Sequence, residues 1–158
     1  MKKNTLLTLI GLSLLAACAA GPQPIKDVPQ GIIFETGKGR HTVMNAILEV
    51  GMEDGYTVYS TSEAEGTVIF NDRKMLDGAL NRRITGNALA LQTKRSTLNH
   101  LIQFSARVGQ NGVVQLRTLV RVSGPGSEID RDRSEKLARY YEQGIIRFLN
   151  RTTPRLVR

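Results

Sequence analysis

The sequence predicts an α+β fold in which an antiparallel sheet of about four to six strands carries two helices on one face, in the order β-α-β-β-(β)-β-β-α. Three observations predict it. Residues 98–108 and 114–122 alternate apolar and polar with period two on either side of a glycine-containing turn. Residues 43–54 and 135–150 each carry an apolar stripe at helical spacing. The alternating strands are polar on one side, so both helices should cover the apolar side.

The elements follow in chain order. Ile32-Ile33-Phe34-Glu35-Thr36 reads as a short strand broken by Gly37-Lys38-Gly39. Thr42 is placed to cap a helix whose stripe is Val43, Ala46, Ile47 and Val50, with Met44 and Leu48 at its edges. Gly51 weakens that helix, and Gly55 suits the position after its end. Tyr56–Ser62 and Thr67–Asn71, joined through Glu63-Ala64-Glu65-Gly66, read as a hairpin. Residues 72–82 read as a loop with at most one helical turn, because Gly78 interrupts the spacing of Met75, Leu76, Ala79 and Leu80. Residues 84–93 are expected to form a strand.

For the long pair the turn decides the register. A two-residue turn at Asn111-Gly112 would pair odd positions with even ones and mix the apolar and polar sets. A three-residue loop, Gln110-Asn111-Gly112, pairs 109 with 113, keeps both even sets on one face and places Gly112 at the left-handed position such a loop needs. Ser134 is expected to cap a final helix with the face Leu137, Tyr140, Tyr141, Gly144, Ile145, Phe148 and Leu149, helped by a Glu135–Arg139 pair. Thr153-Pro154 stops it.

A chain of 158 residues with 41% hydrophobic and 23% charged residues fits one globular domain. Aromatic content is 5% and there is no tryptophan, so the core must rest on Leu, Ile and Val. Lys and Arg number 22 against 14 Asp and Glu, a formal charge of +8. Such a balance favours acidic neighbours: anionic head groups, an anionic polymer or an acidic protein face.

The first residues explain where those neighbours would be. Met1-Lys2-Lys3-Asn4 is a short basic segment, and Leu6–Ala17 is an apolar run too short to span a bilayer, which needs about 20 residues. The run ends Leu15-Ala16-Ala17-Cys18, which resembles the lipobox of bacterial lipoproteins: an aliphatic residue, two small residues and a cysteine. The resemblance covers residues 1–18. It implies a signal peptide over 1–17, alkylation of the Cys18 thiol by a diacylglyceryl group, cleavage before Cys18 and acylation of the new amino terminus. Two or three acyl chains anchor a protein stably where one would not. Cys18 is the only cysteine, so no disulfide can form within the chain. By the same resemblance, Ala19 in place of an aspartate points to the outer membrane, with the domain facing the periplasm. Residues 18–31 then form the lipidated cysteine and a tether; Pro22, Pro24 and Pro29 hold it extended, with a reach of about 40 Å. Residues 32–150 form the single domain, and 151–158 a basic tail.

No residue set in the domain points to an enzyme or a cofactor. His100 lies on the apolar face of its strand and reads as a core histidine, while His41 has no partner at ligand spacing. No metal motif, GxSxG turn or paired carboxylates are present. Glu53-Asp54 and the run Asp130-Arg131-Asp132-Arg133 read as solvated. The basic loop 36–42 lacks P-loop spacing and reads as an ordinary connection rather than an anion site. The sheet's polar face is more informative. Arg107, Arg117 and Arg121 share it with Leu101 and Leu119, a mixture suited to an interaction surface.

The expected function is therefore a non-enzymatic binding or adaptor module, membrane-bound through its anchor. Its partner would be an envelope protein or an anionic envelope polymer rather than nucleic acid. The alternative is a small-ligand or lipid-binding protein with a cavity between sheet and last helix, lined by Phe104, Tyr141 and Phe148. By element order alone, the domain resembles the helix-grip and TBP-like domains of envelope lipoproteins, including lipoprotein subunits of the outer-membrane assembly machinery.

Overall fold

The period-two segments form strands and the 3.6-period segments form helices. The computed structural model describes residues 31–86, 98–122 and 128–152. The leader, Cys18, the tether up to residue 30, most of the strand expected over 84–93 and the tail beyond 152 lie outside the described residues. The chain runs β1 (Ile32–Glu35), α1 (Arg40–Glu53), β2 (Val58–Ser62), β3 (Thr67–Phe70), β4 (Arg73–Leu76), α2 (Asp77–Thr85), β5 (Asn99–Val108), β6 (Val113–Val122) and α3 (Arg131–Thr152).

The fold is α+β, with one six-stranded antiparallel sheet in the order β1-β6-β5-β3-β2, and β4 pairing β5 beside the end of β3. The central hairpin has the expected register. Val108 pairs Val114, the Gly109 amide donates to the Val113 carbonyl at 2.8 Å, and Gly112 has φ of 76°. The inward even positions of β5 and β6 are buried together with Val43, Ile47, Leu137, Tyr141 and Ile145 of the two long helices.

Several local expectations are corrected. The first helix begins at Arg40, after Gly39, with no side-chain cap, so Thr42 lies inside it. Residues 73–82 are β4 running directly into α2, not a loop. Leu80 is fully buried, and that single anchor with tertiary ion pairs outweighs the cost of Gly78. Ile84 and Thr85 end α2 rather than starting a strand, and Gly86 terminates it at φ of 65°. The last helix begins at Arg131, capped by Asp130, whose carboxylate accepts the Arg133 amide at 2.9 Å. Ser134 instead links that helix to the sheet. Its hydroxyl accepts the Val120 amide at 2.9 Å, and its carbonyl accepts the Thr118 hydroxyl at 2.5 Å. Arg139 pairs Glu142 at 3.1 Å rather than Glu135.

Gly51 has a positive role. It faces the ring of Phe70, which stacks on Phe104 at 4.8 Å between centroids; Phe104 in turn stacks on Tyr141 at 4.5 Å. The low aromatic content is thus concentrated in one stack that joins α1, the sheet and α3.

Candidate functional site

Two polar clusters hold the helices, and one sheet face lies open. The first cluster closes the end of α1. Asp54, expected to be solvated, is 7% exposed. Its carboxylate forms an ion pair with Arg83 of α2 and accepts the Tyr141 hydroxyl at 2.8 Å. Tyr141 lies 3.1 Å from the Tyr56 hydroxyl, and Arg83 also donates to the Tyr140 hydroxyl at 3.1 Å. Burial pushes the Tyr56 phenol up to about 12 and raises that of Tyr141 further, so both keep their protons and act as donors. Burial works against the Arg83 charge, yet Tyr140 and Asp54 more than offset it and raise its pKa. The cluster is a clamp between α1, α2 and α3. Residues 54, 83 and 140 are too far apart in sequence for any spacing to have shown it.

The second cluster corrects the solvated reading of Asp130 and Arg133. Arg133 lies 2.9 Å from Asp77 and 3.2 Å from Asp130, and its guanidinium donates to His100 Nε2 at 3.1 Å. The Asp77 contact is electrostatic, since its Oδ1 completes no aligned hydrogen bond. His100 is fully buried, as a core histidine should be, but its Nδ1 has no partner among the described residues. Burial, then the neighbouring Arg133, lower its pKa, against a weaker opposite pull from Asp77 and Asp130.

This gives a pH dependence with a defined sign. An ordinary histidine titrates near 6.5. Below that pH the unfolded chain takes up a proton that folded His100 refuses, so stability falls as pH drops through 6.5 toward the lower folded value. Chemical denaturation of wild type and His100→Gln between about pH 7.5 and 5 measures this. The wild type should show the steeper decline; equal slopes would contradict a neutral buried imidazole.

The other sequence-predicted features fall as follows. Arg40, in the basic loop, donates to the carbonyls of Glu63 and Ala64 at 3.1 and 2.8 Å and so fastens the β2–β3 turn. His41 meets Glu63 at 3.1 Å on the surface. Among the described residues no group of three His, Cys, Asp or Glu could hold a metal ion, and no helix is long and apolar enough to cross a membrane. The stacked rings of Phe104 and Tyr141 are 1% and 0% exposed, with Phe148 half-buried at the margin, and an open cavity of about 540 Å³ lies between the sheet and the last helix beside them, lined by Ile32, Thr118, Ser134 and Ala138.

The sheet's outer face brings the five predicted interaction residues together. Leu101 pairs Arg121, Gln103 pairs Leu119, Ser105 pairs Arg117 and Arg107 pairs Gln115. The register adds Ile33 beside Gln115, Lys74 beside Leu101 and Ile69 beside Ser105. Leu119 is buried between Arg117 and Arg121 on the same strand, and the Nε atoms of both arginines are buried without a hydrogen-bond partner. Their stems therefore lie against the sheet. Arg83, Arg133, Lys136 and Arg139 each meet a carboxylate on the helical side. That side carries both kinds of cation, and Arg82, Arg147 and Arg151 make no ion pair among the described residues. Lys74, Arg107, Arg117 and Arg121 make no ion pair among the described residues. Glu35 is the one carboxylate at a described strand position on that face.

No protein-family model matches the chain. No curated protein matches it in sequence either. The reading of the site therefore rests on its own geometry and charge.

Proposed function

We propose that this protein is a lipid-anchored, non-enzymatic binding module of the bacterial envelope, whose working surface is the outer face of the sheet. One observation supports this above the others. The helices stack on one side of the sheet, and the other side presents four cations that make no ion pair among the described residues, set among Leu101, Ile33 and Ile69. An unpaired charge on a folded surface is hydrated and available, whereas a paired one must first be released.

The address comes from the sequence. A diacylated and N-acylated Cys18 would hold the domain on the periplasmic side of a membrane, the outer membrane by the character of Ala19. A tether of about 40 Å keeps its reach short. Neither polar cluster offers a reacting group: the phenols hold their protons, and the charged groups are committed to one another.

Metabolic labelling with an alkynyl fatty acid, followed by membrane fractionation, tests the anchor. Wild type should carry the label and sediment with membranes, and Cys18→Ala should lose both. A labelled or membrane-bound Cys18→Ala would refute the anchor. Affinity recovery from crosslinked membranes, comparing the same two proteins, tests the module. Specific envelope proteins should come with the anchored form only.

A further inference from the structure

Resting on the binding-module reading, we infer that the occupant of the outer sheet face is the acidic face of another protein, seated over Arg117, Leu119 and Arg121 of β6 and bounded by Arg107 and Lys74. Charge complementarity selects an acidic partner: four cations that make no ion pair among the described residues outnumber the two carboxylates of that face, Glu35 and Asp72, the latter accepting from Gln103 at 3.3 Å. The apolar residues select a protein over a lipid or polymer surface. Ile33 is 68% exposed, Leu76 54% and Ile69 40%, and they lie on the same face as the cations. A charged polymer would engage the cations and leave these side chains in water, and a head-group layer could take them up only where the sheet inserts to its acyl boundary. A protein face buries them.

The dimensions agree. Strands about 4.8 Å apart and residues about 3.3 Å apart give a five-strand face built on ten-residue central strands an area of at most about 800 Å². That is about what one partner contributes to a standard protein interface. Gln103, Gln115 and Ser105 stand between the charges and supply hydrogen-bonding groups. Such a face should associate quickly and with strong salt dependence, and reversal of its charges should be felt mostly in the rate of encounter.

The test uses the full chain in its own cells, with a photoactivatable side chain at Gln115 or Ser105 on the sheet face, or at Gln143 on α3. Crosslinked peptides are identified by mass spectrometry. The expected result is a discrete protein adduct from the sheet positions, carrying an acidic peptide, and none from Gln143. Combining the probe with Arg117→Glu and Arg121→Glu should cut the adduct about tenfold or more. Arg107→Glu, at an exposed position, serves the same purpose if the double reversal does not fold. Adducts that persist after reversal, that form equally from Gln143 or that carry no acidic peptide would overturn the inference. So would recovery of lipid adducts alone. Flotation of purified Cys18→Ala protein with vesicles of phosphatidylethanolamine and phosphatidylglycerol supplies the membrane arm. Flotation that depends on Arg117 and Arg121 assigns the face to lipid and overturns the protein partner. Fatty-acid labelling scored on the same cells separates the two readings, since loss of label with adducts retained removes the anchor and not the partner.

Discussion

Asp54→Ala lowers the stability of the domain by about 3–5 kcal/mol, the range for removing one partner of a buried ion pair. The carboxylate is 8% exposed and Arg83 30%, so the substitution leaves a largely buried guanidinium without its carboxylate. It also removes the acceptor of the Tyr141 hydroxyl, which keeps only Tyr56. Asp54→Asn should cost less, because the amide oxygen still accepts Tyr141 while the Arg83 charge goes uncompensated. Adding Arg83→Met to Asp54→Ala should recover part of the loss, since no buried charge then remains. Urea denaturation with a constant m value measures all three. A loss below about 1 kcal/mol for Asp54→Ala would mean that the pair is effectively solvated.

Gly51→Ala destabilises the protein, against the sign that helix propensity predicts. Glycine costs a helix interior about 1 kcal/mol relative to alanine, so an exposed site would gain from the change. Here the added Cβ would fall 2.7 and 2.9 Å from Cε1 and Cε2 of Phe70, and closer still to Cζ. The ring cannot easily withdraw, because it is 3% exposed and is held by Phe104 at 4.8 Å and Tyr56 at 5.7 Å. Overpacking of this kind costs about 1–3 kcal/mol and exceeds the propensity gain at most of that range. Phe70→Leu should make Gly51→Ala less harmful than it is in the wild type. If Gly51→Ala instead raises the melting temperature, the contact with Phe70 is not a constraint.

Much of the fold was legible because its cause is local. The alternation of β5 and β6 reflects one covered and one open face, and the loop register follows from keeping those faces separate. Gly112 confirms it, since a left-handed φ at that position is a backbone requirement that the residue type displays. The stripes of α1 and α3 were correct in every named position because each faces a continuous core. The errors have one origin. Residue type makes Thr42 and Ser134 resemble caps, yet Gly39 and Asp130 precede the helices, and Ser134 is spent on the Val120 amide. The β4–α2 segment looked too weak to be regular because its stabilisation is tertiary: pairing with β5, Leu80 in the core, and Asp77 and Arg83 bonded to residues 56 and 29 positions away.

The candidate surface divides in the same way. Alternation of side chains with period two along each strand is enough to place Arg107, Arg117, Arg121, Leu101 and Leu119 on one sheet face. The resemblance of Leu15-Ala16-Ala17-Cys18 to a lipobox is likewise carried by four consecutive residues. Which charges find a carboxylate among the described residues depends on how the chain folds. Arg83 and Arg133 read in the sequence like Arg117 and Arg121. The fold brings carboxylates from the end of α1 and from α2 to the first two and, among the described residues, none to the second two, because both polar clusters form where helices meet. Ion pairing depends on a few ångströms between residues distant in the chain, and a distance of that kind exists only once the chain has folded.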